Sequence, residues 1–315
     1  MRRLRASQVL RCARAMFLVC VSVKTTLPAS DADIHVDTTL VVIPVTVTDA
    51  QNRFVIGLEK QDFTLLENGT EQKVTQFAGE SAPISAGLLV DVSGSMGSKV
   101  ELSREAVAQF LKTMDEHDEA SLVEFGDRAR IVTGFTTDSA RIKQKLSTVE
   151  PEGLTALLDA VSVGLQQMRN AKNARKALLI ISDGGDNNSR YTTAEITELV
   201  RQADVQVYSM GVFDRFGLLG LSAAEVSGPK LLWQLSEQTG GRAFSASSAA
   251  ELPAIAARIG IELRNQYVLA YSPSNRKRDG KYRHVEVRIK PPSGLTALKA
   301  RWRLGYYAPA QEASK

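Results

Sequence analysis

The residues best placed to do chemistry lie in Leu88-Leu-Val-Asp91-Val-Ser93-Gly-Ser95-Met96, where an apolar run ends in a carboxylate and two hydroxyls follow at alternate positions. These are hard oxygen donors, suited to Mg²⁺ or Mn²⁺ better than to zinc or copper. Two later stretches add more oxygen. Gly153-Leu-Thr155-Ala-Leu-Leu-Asp159-Ala reads as the start of an amphipathic helix with a threonine in its first turn, and Leu179-Ile-Ile-Ser-Asp183-Gly-Gly ends a second apolar run in an aspartate. Each stretch alone has an ordinary explanation. Aspartate and serine are common turn residues, Thr155 could simply help start its helix, and Asp183 precedes a glycine pair. Three such stretches together argue for one oxygen-lined metal site made of Asp91, Ser93, Ser95, Thr155 and Asp183. Asp159, one helical turn beyond Thr155, reads either as support for that site or as an exposed or helix-start carboxylate. Asp186, Asn187 and Asn188 read as loop solvation.

The same residues argue against most enzymes. The residue two before Ser95 is Ser93, so the G-x-S-x-G elbow is missing. His35, His117 and His284 are scattered; none lies near the three stretches to act as a base, and no pair has zinc-ligand spacing. No phosphate loop or dinucleotide fingerprint is present. A Mg²⁺-dependent hydrolase is the remaining enzymatic alternative, because an ion with open positions can polarise a substrate. It is weaker than a binding role, since no base accompanies the carboxylates.

The elements that must position these residues follow from periodicity. Ile84 to Val90 is nearly all apolar without turn residues and reads as a buried parallel strand. Further strands fit at Ala120–Phe125, Arg130–Phe135, Ala177–Ser182, Val205–Val212 and Arg242–Ser245. Helical faces are formed by Val100, Val107, Phe110, Leu111 and Met114, then by Leu154, Leu157, Leu158, Val161, Leu165 and Met168, and later by Leu252, Ile255, Ala256, Ile259 and Leu263. Ser98-x-x-Glu101 and Thr192-x-x-Glu195 read as capping boxes. Alternating strands and helices predict an α/β fold with a doubly wound, mostly parallel sheet. The oxygen-bearing stretches then fall at the carboxyl ends of its strands, where such sheets bind ligands.

On these motifs the chain resembles the von Willebrand factor A (VWA) family, whose Rossmann-like fold carries a metal-ion-dependent adhesion site, MIDAS, on a D-x-S-x-S loop, a threonine loop and an aspartate loop. The resemblance covers roughly residues 80–270 and fills all five positions. It implies that Ser93, Ser95 and Thr155 are hydroxyl ligands and that Asp91 and Asp183 bind directly or through water. It also implies that an acidic side chain of a protein partner completes the Mg²⁺ or Mn²⁺ shell. Asp62-Phe-Thr-Leu-Leu-Glu-Asn-Gly69 before this region and Gly305-Tyr-Tyr-Ala-Pro309 after it resemble the VWFA-related proteins found mainly in Acidobacteria.

The flanks are strand-like. Thr39 to Thr48 is β-rich, Asp62–Glu67 and Gln72–Phe77 surround the turn signal Asn68-Gly69, and strands recur at Gln266–Tyr271, Tyr282–Ile289 and Ala297–Tyr307. Neither end makes a convincing domain alone. The expectation is one small β sandwich built from both ends; the alternative is two unrelated extensions on the A domain. The expected layout is a signal peptide at 1–32, β-rich flanks at 33–79 and 271–315, and the VWA domain at 80–270.

The first 32 residues have an arginine-rich start, a short apolar run from Ala15 to Val23 and small residues at Ser30-Asp-Ala32, the pattern of a secretory signal. The apolar run is too short to span a bilayer, so no transmembrane span is expected in the mature chain. The location this implies is periplasm, cell envelope or extracellular space. The leader holds six basic residues against one acid, so the whole chain's +4 becomes −1, four less five, for residues 33–315. That near-neutral remainder gives no reason to expect nucleic-acid binding. Both cysteines, Cys12 and Cys20, lie in the leader, so the remainder relies on its core rather than on disulfides. The basic run from Lys277 to Arg303 reads as protected strand edges, or alternatively as attachment to an anionic envelope surface. The resulting expectation is an exported, metal-dependent protein-binding module. A structural envelope scaffold with a stabilising metal is the alternative.

Overall fold

The computed structural model describes residues 40–79, 82–146, 150–212, 223–292 and 297–310. The N-terminal leader, with Cys12 and Cys20, lies outside the described residues. The central element is a six-stranded sheet. Its strands are β5 (Ile84–Asp91), β6 (Glu119–Phe125), β7 (Ala129–Thr136), β8 (Arg175–Ser182), β9 (Gln206–Val212) and β10 (Ala243–Ala246), numbered to leave β1–β4 for the N-terminal flank. Their order is β10-β9-β8-β5-β6-β7, all parallel except the edge strand β7. The parallel strands are long apolar runs because both faces are covered. On one face Ile84, Ala86, Leu88 and Val90 pack against α1 (Val100–Leu111), α2 (Ser139–Leu146) and α6 (Leu252–Arg264). On the other, Leu89 and Val123 pack against α3 (Leu157–Gln167), α4 (Thr193–Gln202) and α5 (Ala223–Glu237).

The flanks form two antiparallel four-stranded sheets, each taking strands from both ends of the chain. The N-terminal strands are β1 (Val41–Thr48), β2 (Phe63–Glu67), β3 (Thr70–Gln72) and β4 (Val74–Gly79). The C-terminal ones are β11 (Tyr267–Tyr271), which pairs with β1 and β4 and so starts the C-terminal flank ahead of the expected residue 271, β12 (Tyr282–Ile289), β13 (Lys299–Trp302) and β14 (Gly305–Tyr307). The orders are β13-β1-β11-β4 and β14-β12-β2-β3, so the fold is a doubly wound α/β sheet with a small β sandwich. Ile43, Val45, Leu65, Leu269, Val285 and Val287 fill the sandwich core. Asn68 and Gly69 both have positive φ, 47° and 80°, the mirror-image turn that matches strand twist in a two-residue hairpin. A buried polar cluster ties the sandwich to the central sheet. Tyr208 Oη donates to Glu262 Oε1 (3.1 Å), Gln266 Nε2 donates to Thr46 Oγ1 (3.1 Å), and Arg175 Nη2 donates to Gln266 Oε1 (3.2 Å).

Two local expectations change. The Thr192–Glu195 capping box forms at α4, but Ser98 and Glu101 do not cap α1. A 3-10 turn, Gly94–Lys99, runs directly into that helix and puts Ser98 inside a turn instead of at an extended N-cap. Likewise α3 starts at Leu157, leaving Thr155 in the loop before it and Leu154 half exposed. Gly153, at φ 77°, breaks the periodic face there.

Candidate functional site

β5 delivers Asp91 to the centre of the sheet's carboxyl edge, paired with Phe125 of β6 and one step beyond the Val90–Ile181 pair with β8. Asp91 is fully buried, and its oxygens are already engaged. Oδ1 accepts the Ser93 amide (2.9 Å) and the Ser93 hydroxyl (2.5 Å), and Oδ2 accepts the Ser182 hydroxyl (2.6 Å). Burial pushes the Asp91 carboxyl up to about 6; the hydrogen bonds from Ser182 and Ser93 oppose this, and the charge of Asp183 adds to it. Ser93 is buried and Ser95 is exposed, with their hydroxyl oxygens 3.2 Å apart. Asp183 follows the last residue of β8. Its Oδ1 accepts the Gly185 amide (3.3 Å), whereas its buried Oδ2 accepts no hydrogen bond. The Lys99 ammonium forms an ion pair with that oxygen at 3.6 Å.

The threonine loop is stitched to both aspartate loops through the backbone. Gly94 N–H donates to Gly153 O (3.0 Å) and Glu152 N–H to Val92 O (3.0 Å). The Thr155 amide donates to Asn187 Oδ1 (2.8 Å), and Thr155 O accepts the amides of Asn187 and Asn188, both at 3.0 Å. These long-range bonds hold Thr155, itself buried, outside the helix. After Asp183 the chain makes a close approach that only glycine permits. Gly184 sits at φ 80°, and a Cβ there would lie 2.8 Å from the Gly228 backbone.

A family model described as the von Willebrand factor type A domain matches residues 87–185, a segment that contains Asp91, Ser93, Ser95, Thr155 and Asp183. The chain carries a von Willebrand factor type A domain. Over 179 residues it is 26% identical to an uncharacterized protein of Borreliella burgdorferi, covering 50% of this chain and 52% of that protein. Over 143 residues it is 24% identical to inter-alpha-trypsin inhibitor heavy chain H3 of Homo sapiens, covering 40% of this chain and 16% of that one. The chain thus spans about half the length of the bacterial relative and a small part of the human one. Among solved structures, a von Willebrand factor type A protein from Catenulispora acidiphila aligns at a TM-score of 0.51 and 12% identity, over 87% of this chain and 74% of that chain. At that identity the likeness concerns the fold.

Around these loops the A domain uses residues that sequence reasoning ranked low or overlooked. Asp159 does lie in the first turn of α3, the helix-start position, but it is buried and not exposed. It accepts the amide of Arg190 (2.9 Å), its Nε (3.0 Å) and the Tyr191 amide (3.3 Å). Asp186 Oδ1 accepts the Leu158 amide (3.2 Å) and the Ser189 hydroxyl (2.6 Å), so the third loop caps the first turn of α3. Asn187 and Asp186 are therefore structural hydrogen-bonding groups and not merely solvated. Ser182 was legible in retrospect: a lone hydroxyl at the end of a buried apolar strand must find a partner, and that partner is Asp91. Lys99 had no sequence signal, because its approach to Asp183 depends on the 3-10 turn. Among the described residues no group of three or more His, Cys, Asp or Glu is gathered to hold a metal, and no helix is long and apolar enough to cross a membrane.

Proposed function

We propose that the chain is an exported, metal-dependent protein-binding module in which Asp91, Ser93, Ser95, Thr155 and Asp183 hold Mg²⁺ or Mn²⁺. The observation that carries this reading is Asp183 Oδ2, a buried carboxylate oxygen that accepts no hydrogen bond, in an A domain whose neighbouring loops offer hydroxyls. A buried carboxylate oxygen without a proton donor is costly unless a cation compensates it, and the Lys99 ammonium, at 3.6 Å, pairs with it without donating a hydrogen bond. All the candidate donors are oxygens, the set a hard divalent ion prefers. When bound, the ion supplies an electrophilic centre that an acidic side chain of a partner can complete. The chain's own contribution is positioning. Asp91 orients Ser93 through its amide and hydroxyl, Asn187 fixes the Thr155 backbone, and Ser182 holds Asp91. Export rests on the leader's charge and apolar pattern.

Among the described residues the histidines favour binding over hydrolysis; His35 lies outside them. His117 is exposed beside Glu116, and His284 is an exposed residue of β12 in the sandwich, so neither is available as a base for this site. The test is calorimetry with Mg²⁺ and Mn²⁺, followed by partner capture from envelope extract with and without EDTA. The expected results are metal binding that Asp183→Ala abolishes with native far-UV circular dichroism, and a partner released by EDTA. Thr155→Ala should weaken partner binding about tenfold or more, the loss of a hydrogen bond to a charged group or greater. Capture that is equal in EDTA and in the Thr155 variant would move function away from the metal, to the scaffold reading.

A further inference from the structure

The corner around Asp183 already contains a positive charge. Lys99 Nζ stands 3.6 Å from Asp183 Oδ2, an ion pair too long for a hydrogen bond. Lys99 is the last residue of the 3-10 turn that begins immediately after Ser93, so the turn that presents Ser95 also presents the ammonium. Its side chain is 24% exposed against 6% for Asp183, which leaves it a path to solvent that the carboxylate lacks. The two carboxylates at the site differ in what they can still bind. Both oxygens of Asp91 accept serine donors, and Asp183 Oδ1 accepts the Gly185 amide. Asp183 Oδ2 is the oxygen left without a proton donor, so a divalent ion and the Lys99 ammonium have the same target.

We propose that Lys99 is a tethered competitor of the divalent ion: it neutralises Asp183 in the metal-free protein and sets how tightly the site holds its metal. The inference rests on the metal reading of Asp91, Ser93, Ser95, Thr155 and Asp183. The physical argument is electrostatic. An ion entering the site must either displace the ammonium, losing the ion pair, or bind beside it against like-charge repulsion. Either course lowers affinity relative to a site without the lysine. In exchange, the metal-free loops are not left with an uncompensated buried carboxylate. Occupancy then follows the surrounding metal concentration instead of being permanent. Once loaded, the displaced ammonium adds a second positive charge at the rim where an acidic partner would dock.

The experiment compares the full chain with Lys99→Met and Lys99→Arg. Methionine keeps the apolar stem and removes the charge; arginine keeps the charge. Calorimetric titration with Mg²⁺ should show Lys99→Met binding at least about tenfold more tightly than the natural protein, with Lys99→Arg within about threefold of it. Thermal unfolding supplies an independent readout. In EDTA, Lys99→Met should melt lower than the natural protein, and saturating Mg²⁺ should raise its melting temperature by more. Should methionine prevent folding, Lys99→Gln makes the same comparison. Mg²⁺ affinity that is unchanged or weaker in the neutral variant, while the natural protein binds, overturns the competitor role and leaves the metal site standing. No binding by any of the proteins overturns the metal site, and the inference with it.

Discussion

Asp91 offers a pH test whose sign is opposite to that of most carboxylates. Burial pushes its carboxyl from the ordinary 3.8 up to about 6 in the folded protein. The folded state therefore binds more protons than the unfolded chain between those values, and stability falls as pH rises. The contribution of Asp91 is complete below its unfolded value and lost as pH passes through about 6. A gap of about two units corresponds to about 3 kcal/mol, most of which falls between about pH 4 and about pH 7. Asp91→Asn keeps the side chain's size and removes its titration. Urea unfolding of both proteins in EDTA across that range isolates the effect of Asp91 and its coupling to Asp183, because the titration of groups that do not interact with Asp91 cancels in the difference. The natural protein should lose about 2–3 kcal/mol relative to Asp91→Asn as pH rises from about 4 to about 7. Saturating Mg²⁺ at the upper pH should return stability to the natural protein and not to the variant, because the ion compensates the charged carboxylate. A difference that stays flat within about 0.5 kcal/mol over the range would refute the reasoning.

The fold makes three further tests available. Gly184→Ala places a Cβ 2.8 Å from the Gly228 backbone at φ 80° and should cost about 2–4 kcal/mol in urea unfolding, whereas Gly97→Ala, with nothing within 4 Å, should cost under about 1 kcal/mol. Asn187→Ala removes the acceptor for the Thr155 amide without replacing a proposed ligand; it should weaken Mg²⁺ binding about tenfold by calorimetry while far-UV circular dichroism stays native. Deleting residues 281–315 removes β12 and β13, the partners of β2 and β1, together with β14, so hydrogen exchange in β1 and β2 should rise toward the unfolded rate. Full protection of those amides in the truncated chain would contradict a sandwich whose ends depend on each other.

What the sequence discloses and what it hides divide along the range of the interactions. The apolar run ending at Asp91, the Asn68-Gly69 hairpin, the capping box at Thr192 and the period-2 pattern from Tyr282 to Ile289 are local signals, and each is visible in the structure. The α/β class follows from those signals in order. The periodic face that Leu154 continues points to a helix that includes Thr155. Hydrogen bonds from Thr155 to Asn187 and from Ala156 to Gly126, distant in sequence, pull that segment out of the helix instead. The spacing of Ser98 to Glu101 fits a capping box, but the 3-10 turn preceding α1 removes the extended backbone a cap needs. The Asp91–Ser182 bond and the Lys99–Asp183 pair join segments about ninety residues apart, so no spacing rule could reveal them. Asp159 was hidden for the same reason: its partners, Arg190 and Tyr191, arrive on the third loop.

The central claim is that one divalent ion binds where the three loops meet. Crystals grown with Mn²⁺, with diffraction recorded for anomalous scattering, test it most directly. The account predicts a single strong anomalous peak within metal–oxygen bonding distance, about 2.0–2.3 Å, of the hydroxyls of Ser93, Ser95 and Thr155, with Asp91 and Asp183 bonded to it directly or through water. No peak there at saturating Mn²⁺, or a peak coordinated by other residues, would contradict it.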